Sequence, residues 1–314
     1  MKNKRIYLIL ILFFISGILS YLHWRTQVAN AIYLNAADKP SYLRLKKLGK
    51  ALKKEGKTVF ISKKDHFKSG KFNIYGAEND LNLPAVIDAS AINFLWTPAV
   101  PQDTIESYRP FDVIVVQNIP SFSYLKAINV RTAYIPEAIN LYKKPAKRKS
   151  EGVMYYGDII ENFSLSLYLA GPTDLKVDVY GNGFENLWDE KEIMNRPVEV
   201  ADFLRYAIVL VDQSEENIKD ELINQRIIRI IESGGLPYIR YNSGVAKIFG
   251  DAIPMYMNQA EFLPKIQHLL ANPQERTDHL EAIYQTAQQW NSSSQAKKFL
   301  ELFDIMEKKM ITKD

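Results

Sequence analysis

The sequence predicts an α/β protein built from two doubly wound, Rossmann-like lobes behind an amino-terminal transmembrane helix. Three observations predict it. β-Branched runs alternate with amphipathic helical periods in two successive blocks, a charged proline-bearing stretch separates the blocks, and the chain opens on an apolar run. At 314 residues the chain is long enough for two domains beyond a targeting segment. Hydrophobic residues make up 47% of it and charged residues 24%, a balance that supports packed cores rather than a disordered tail.

The opening run extends from Ile6 to Leu22, behind Lys2, Lys4 and Arg5, and is interrupted chiefly by Ser16, Gly17, Ser20 and Tyr21. As a helix it rises roughly 25 Å, the short end of what spans a bilayer. His23, Trp24 and Arg25 supply an interfacial edge. Ala29-Asn30-Ala31 also has the form of a signal-peptide cleavage site. Cutting there would trim the strand that starts at Ala31, so a retained single-pass anchor is the expectation, with a bacterial inner membrane favoured. The side of the membrane stays open. The amino-terminal charges favour a body outside, whereas the basic helix from Arg44 to Lys57 suits anionic cytoplasmic lipid.

In the first block, Ala31–Ala36 reads as a strand, Ser41–Glu55 as a helix stopped by Gly56, and Thr58–Ser62 as a second strand. Residues 64 to 110 carry no clear period. Phe111–Val116 has the continuous apolar pattern of a strand buried on both faces, and Thr132–Ile135 is a further short strand. Lys143–Ser150 holds no large apolar residue and reads as a linker. In the second block, strands are expected at Gly152–Tyr156, Leu175–Tyr180, Ala207–Val211 and Pro237–Arg240. Helices are expected at Asn162–Ala170, Val198–Arg205, Glu221–Ser233, Gln259–Ala271 and Pro273–Gln289. The expected division is an anchor over 1–28, a first lobe over 29–142, a linker over 143–150, and a second lobe with carboxyl-terminal helices over 151–314.

Composition excludes several chemistries. No cysteine is present, which removes disulfides, thiolate metal sites and thiol nucleophiles. The four histidines, His23, His66, His268 and His279, show no metal-ligand spacing. A net charge of +4 without an arginine-rich stretch gives no nucleic-acid footprint.

Several local patterns carry a family resemblance. Val179-Tyr-Gly-Asn-Gly183 is a strand followed by a glycine turn, and Asn224-Gln-Arg226 precedes a helix that closes on Gly234-Gly235. Phe249–Tyr256, Glu261–Ile266 and Leu270–Arg276 follow, and Arg131–Ala138 precedes the linker. In order and spacing these resemble GT-B-fold glycosyltransferases, particularly the spore-maturation-protein-type group, over about residues 110 to 290. The resemblance implies transfer of a sugar from a nucleoside-diphosphate donor of the UDP or GDP type, without a bound metal or other cofactor. The acceptor, a glycan or lipid-linked envelope molecule, belongs to the first lobe and the donor to the second.

It also implies site residues. The retaining branch carries two glutamates spaced by eight positions; Glu221 matches the first, but Arg229 stands at the second. Two readings of that departure stand: Glu232, one turn on, takes the ribose contact, or Arg229 contacts a phosphate. A catalytically silent relative that binds sugar or scaffolds at the membrane is the alternative function. Glu221, Gln225, Arg229 and Glu232 also form a polar stripe at helical spacing, which in ordinary proteins is a solvated face. Arg226 is the expected diphosphate contact, Asn224 and Gln225 lie beside it, and Gly181, Asn182 and Gly183 form a turn near the donor. Gly234-Gly235 reads as a helix C-cap. In the first block Asp38 and His66 are candidate bases, with a helix N-cap the ordinary role for Asp38. Gln117, Asn118 and Glu137 are candidate sugar contacts, while His268 and His279 read as structural.

Overall fold

The computed structural model describes residues 15–22, 26, 30–63, 67–78, 83, 87–141, 151–158, 175–181 and 198–311. The chain divides into two compact units. The first holds residues up to Val116 with Ile128–Ala133 and Gln295–Asp314; the second holds Gln117–Ala127 and Tyr134–Ser294.

The sheet of the first unit contains β1 (Ile32–Ala36), β2 (Val59–Lys63), β3 (Phe72–Gly76), β4 (Ile92–Thr97), β5 (Val113–Val116) and β6 (Thr132–Tyr134), in the order β2-β1-β3-β4-β5-β6. Helix α1 (Lys39–Lys54) buries Leu45, Leu48 and Leu52. β3 and β4 lie in the stretch where the sequence shows no period. Each is buried along its whole length, and each carries an asparagine in the middle of its apolar run. The parallel register sets Asn73 beside Asn93. Asn73 Nδ2 donates to Asn93 Oδ1 at 2.9 Å, and Asn93 Nδ2 donates to the Asp88 and Ala91 carbonyls. Buried amides are tolerated there because they satisfy one another.

The expected division gives residues 151–314 to the second lobe, and the last helix in it is Ser292–Ile311. From Gln295 onward the chain returns to the first unit. Phe299 packs on Trp96 at 5.2 Å between ring centroids, and Phe303 packs on Phe72 and Phe94, each at 4.8 Å. The Phe299–Trp96 and Phe303–Phe94 pairs are edge-to-face, an arrangement that adds to plain burial.

The second unit holds β7 (Val153–Tyr156), β8 (Val177–Tyr180), β9 (Ile208–Val211), β10 (Pro237–Arg240) and β11 (Met255–Tyr256), parallel in the order β11-β10-β9-β7-β8. Its helices are α2 (Ile119–Ala127), α3 (Glu215–Lys219), α4 (Gln225–Ser233), α5 (Ser243–Phe249), α6 (Gln259–Ala271) and α7 (Pro273–Gln289). Alternate strand residues face opposite layers. Met154, Val209 and Val211 pack with Ile227, Ile228, Ile230 and Ile231 of α4. Val153, Tyr155, Ile208 and Leu210 pack with Phe262, Ile266 and Leu269 of α6. A sheet covered on both faces gives the continuous apolar runs seen in the sequence.

Two expected helices differ. Of Val198–Arg205 only the turn Asp202–Leu204 is helical, because Asp202 Oδ2 accepts the Glu199 N–H at 2.8 Å and closes a local loop. The helix expected from Glu221 begins at Gln225, capped by Asn224. The helix expected at Asn162–Ala170 and the linker at 143–150 lie outside the described residues. Residues 15–22 are helical, but among the described residues no helix is long and apolar enough to cross a membrane. Most of the expected anchor, residues 1–14, 23–25 and 27–28, lies outside the described residues.

Phe299→Ala removes a fully buried ring from the first unit and should cost about 3–5 kcal/mol. Urea unfolding followed by Trp96 fluorescence checks this, and an unchanged midpoint would show that the carboxyl-terminal helix is dispensable to that unit.

Candidate functional site

In the second unit the chain reverses its direction of winding between β7 and β9, the switch point where α/β sheets leave a crevice at the carboxyl ends of their strands. The backbone is drawn tight there. Gly157 N–H donates to the Tyr180 carbonyl at 3.1 Å, and a Cβ on Gly181 would overlap the Gly157 carbonyl oxygen. Only glycine fits at position 181 for that reason. Beneath the crevice, Tyr155 Oη donates to Asp212 Oδ2 at 2.9 Å. Gln213 Nε2 donates to the Arg240 carbonyl, and Asn242 Nδ2 donates to Gln213 Oε1, each at 2.9 Å. Asn242 also caps α5 through Val245 N–H and reaches the Leu222 carbonyl at 3.1 Å, so one buried amide ties the ends of β9 and β10 to the following loops.

Arg226 stands in the first turn of α4. Asn224 Oδ1 accepts its backbone N–H at 2.8 Å, which starts the helix there. Its guanidinium donates to Asp158 Oδ2 at 2.7 Å, directly beyond β7, and lies 5.7 Å from the centre of the Tyr156 ring. Arg229, one turn later, donates to Tyr156 Oη at 3.1 Å and to the Val198 carbonyl, and sits 5.9 Å from the Tyr156 and Phe203 rings. Glu232 is buried, and its Oε1 accepts the Asn140 N–H at 2.9 Å. Arg229 and Glu232 are thus engaged by protein partners, while Gln225 is exposed.

Glu221 does not belong to the polar stripe that helical spacing suggested. It lies in the loop before α4 with φ at 54°, a left-handed backbone that non-glycine residues seldom adopt. The loop is held by Leu222 N–H on the Asn217 carbonyl at 2.9 Å and by Glu221 N–H on Ile218 at 3.2 Å. The Glu221 carboxylate accepts from Lys247 Nζ at 2.6 Å, and its carbonyl fills the space where a Cβ on Gly244 would stand. Asn118 Nδ2 reaches the adjacent Asp220 carbonyl at 2.9 Å, and Gln117 Nε2 donates to Glu137 Oε2 at 3.3 Å. The structure therefore gathers Gln117 with Glu137, and Asn118 with the loop that carries Glu221. Tyr134 belongs to the same neighbourhood: burial first, and then the Glu221 charge, push its phenol up to about 12.

Asp38 fills the ordinary role. It caps α1 by accepting Ser41 N–H at 2.8 Å, and it takes Glu78 N–H at 2.9 Å. His268 pairs with Glu275, and His279 bonds the Ala252 carbonyl. Gly234 is the left-handed C-cap of α4 at φ 81°, as its sequence position suggests. His66, Asn182 and Gly183 lie outside the described residues. Among the described residues no cluster of His, Asp and Glu could hold a metal. Sequence reading missed Asp158, Asp212, Gln213 and Asn242. The usable signal was position, since each stands one or two residues past a core strand.

No family model and no curated protein matches the chain. Solved structures do. A Thermosynechococcus elongatus sucrose-phosphate synthase aligns at TM-score 0.62, with 10% identity over 88% of this chain and 99% of the other. A glycosyltransferase from Rickettsia africae ESF-5 gives 0.59, with 10% identity over 89% and 99%. An Anabaena protein in complex with UDP and glucose gives 0.58, with 10% identity over 87% and 99%. The fold is that of two-lobed GT-B glycosyltransferases. Against TarM the TM-score is 0.57 at 12% identity over 75% of this chain, which spans only 55% of TarM.

Two outcomes follow from the geometry. Gly181→Ala should lower stability by about 3 kcal/mol, because its methyl group meets a backbone oxygen rather than a yielding side chain; chemical denaturation measures the loss. Tyr134, raised from 10.0 to about 12, contributes stability that is complete below pH about 10 and is lost as pH rises towards 12. In a 295 nm titration, with Tyr134→Phe identifying the transition, Glu221→Gln should lower it only in part, because burial is the larger cause; an unmoved transition would mean the two groups do not interact.

Proposed function

We propose that the chain is a glycosyltransferase that moves a sugar from a nucleoside-diphosphate donor, of the UDP or GDP type, to an envelope glycan or lipid-linked acceptor. The observation that carries this reading is the placement of Arg226. It stands in the first turn of α4, over Tyr156, at the β7–β9 crevice of a fold shared with a protein solved with UDP and glucose. In the transfer, the bond from the anomeric carbon to the diphosphate oxygen breaks and the nucleoside diphosphate leaves with the electron pair. The acceptor oxygen bonds the carbon, and its proton passes to the departing diphosphate oxygen. The Arg226 guanidinium and the first-turn N–H groups of α4 suit the charge developing on the leaving group, so the reaction is written without a metal. Retention at the anomeric carbon is the stereochemical reading carried over from the resemblance.

The amino-terminal run is read as a single-pass anchor that holds the enzyme beside its acceptor, with a bacterial inner membrane favoured. Ile15, Ile18, Leu19 and Leu22 are exposed on the helical part of that run.

A specific observation favours a second reading, a catalytically silent relative that binds sugar or scaffolds at the membrane. Arg229 is held by Tyr156 and the Val198 carbonyl, and Glu232 caps Asn140, so neither presents a carboxylate for ribose hydroxyls.

Calorimetry on the full chain in detergent, with UDP, GDP, CMP and dTDP, separates the two. The transferase reading expects one nucleotide to bind at micromolar affinity or better and Arg226→Ala to weaken it at least about tenfold. A folded protein that binds none of them supports the silent reading.

A further inference from the structure

Three cations around the crevice-side end of this sheet form ion pairs, with carboxylates from the loop after β7, from α3 and from the loop before α4. Arg226 pairs with Asp158, Arg240 with Glu215, and Lys247 with Glu221. Adding the buried Asp212 leaves these side chains with one more acid than base. A diphosphate approaching Arg226 meets a guanidinium that already has a counter-charge. Of the three pairs, Arg226–Asp158 lies at the switch point itself, and it is the best ordered by its surroundings. Its two side chains are 19% and 30% exposed, and the guanidinium rests over Tyr156. Asp158 follows β7 by two residues, beside the tight Gly157–Gly181 contact, so its backbone is placed by the same glycine packing that shapes the crevice.

We propose that Asp158 is the affinity-tuning counter-anion of the donor site: it occupies Arg226 in the empty protein and is exchanged for a donor phosphate on binding. The inference rests on the reading of Arg226 as the diphosphate contact. Arg226 need not leave the Tyr156 ring, 5.7 Å from its guanidinium, for the exchange. Asp158 turns away, its carboxylate regains water, and a phosphate oxygen takes over the guanidinium N–H groups in bidentate geometry. The exchange sets a threshold. A nucleoside without phosphate cannot displace Asp158, and the diphosphate gives up part of its gain in separating the pair. The residue therefore lowers affinity for the diphosphate, and a nucleoside, which does not displace it, binds as though it were absent.

The test is calorimetry on the full-length protein in detergent with UDP, GDP, uridine and guanosine as probes, for wild type, Asp158→Asn and Arg226→Gln. Asn is nearly isosteric and the position is partly exposed; Asp158→Ser serves as a second neutral variant if the first is poorly folded by circular dichroism. Removing the counter-anion should tighten the diphosphate that binds by about fivefold and leave its nucleoside unchanged. A purely structural role for Asp158 would weaken both ligands or neither. If the diphosphate binds wild type, weakens in Arg226→Gln and is unchanged in the Asp158 variants, the exchange is wrong and the donor reading stands. If neither diphosphate binds any folded variant, the donor reading fails and the exchange fails with it.

Discussion

A parallel sheet covered on both faces leaves polar side chains little room except at the ends of its strands, and that constraint organises the second unit. Met154, Val209 and Val211 face the isoleucines of α4, while Tyr155, Ile208 and Leu210 face α6. Several polar groups of the site then fall just past a strand: Asp158 after β7, Asp212 and Gln213 after β9, Asn242 after β10. The Gly181–Gly157 contact fixes how closely the loops after β7 and β8 approach, and the buried Asn242 amide holds the loops after β9 and α3.

Electrostatics at that edge differ from a bare anion site. A helix N-terminus and an arginine favour a diphosphate, but here the arginine is supplied with its own carboxylate. Partly exposed pairs of this kind contribute at most about 1 kcal/mol, small beside the charge-assisted contacts a diphosphate would make. A site matched in this way holds its anion less tightly than a bare arginine would. The left-handed backbone of Glu221 belongs to the same local economy of form: a short loop must turn sharply between α3 and α4, and Gly244 leaves room for its carbonyl.

Much of the fold was legible from patterns. The β-branched run Phe111–Val116, the restart of alternation after the lysine-rich stretch, and the glycine end of α4 all correspond to observed elements. β3 and β4 were not legible, because Asn73 and Asn93 interrupt their apolar pattern and become tolerable only through each other, a relation that sequence spacing does not carry. The return of the carboxyl-terminal helix to the first unit was hidden for a similar reason: Phe299 and Phe303 announce a buried face but not which sheet they cover. At the site, Arg226 and its capping Asn224 were visible as a motif, whereas Asp158 reads in sequence as one more loop acid. Glu221 was misplaced because helical spacing continues through residues whose backbone does not.

The central claim is that nucleotide binds at the carboxyl ends of β7 and β9. Amide chemical-shift mapping of isotope-labelled protein during a UDP or GDP titration tests it most directly. The account predicts saturable shifts concentrated on Gly157, Asp158, Gly181, Asp212 and the first turn of α4. Saturable shifts confined instead to α6 and α7, with those amides unmoved, would contradict it.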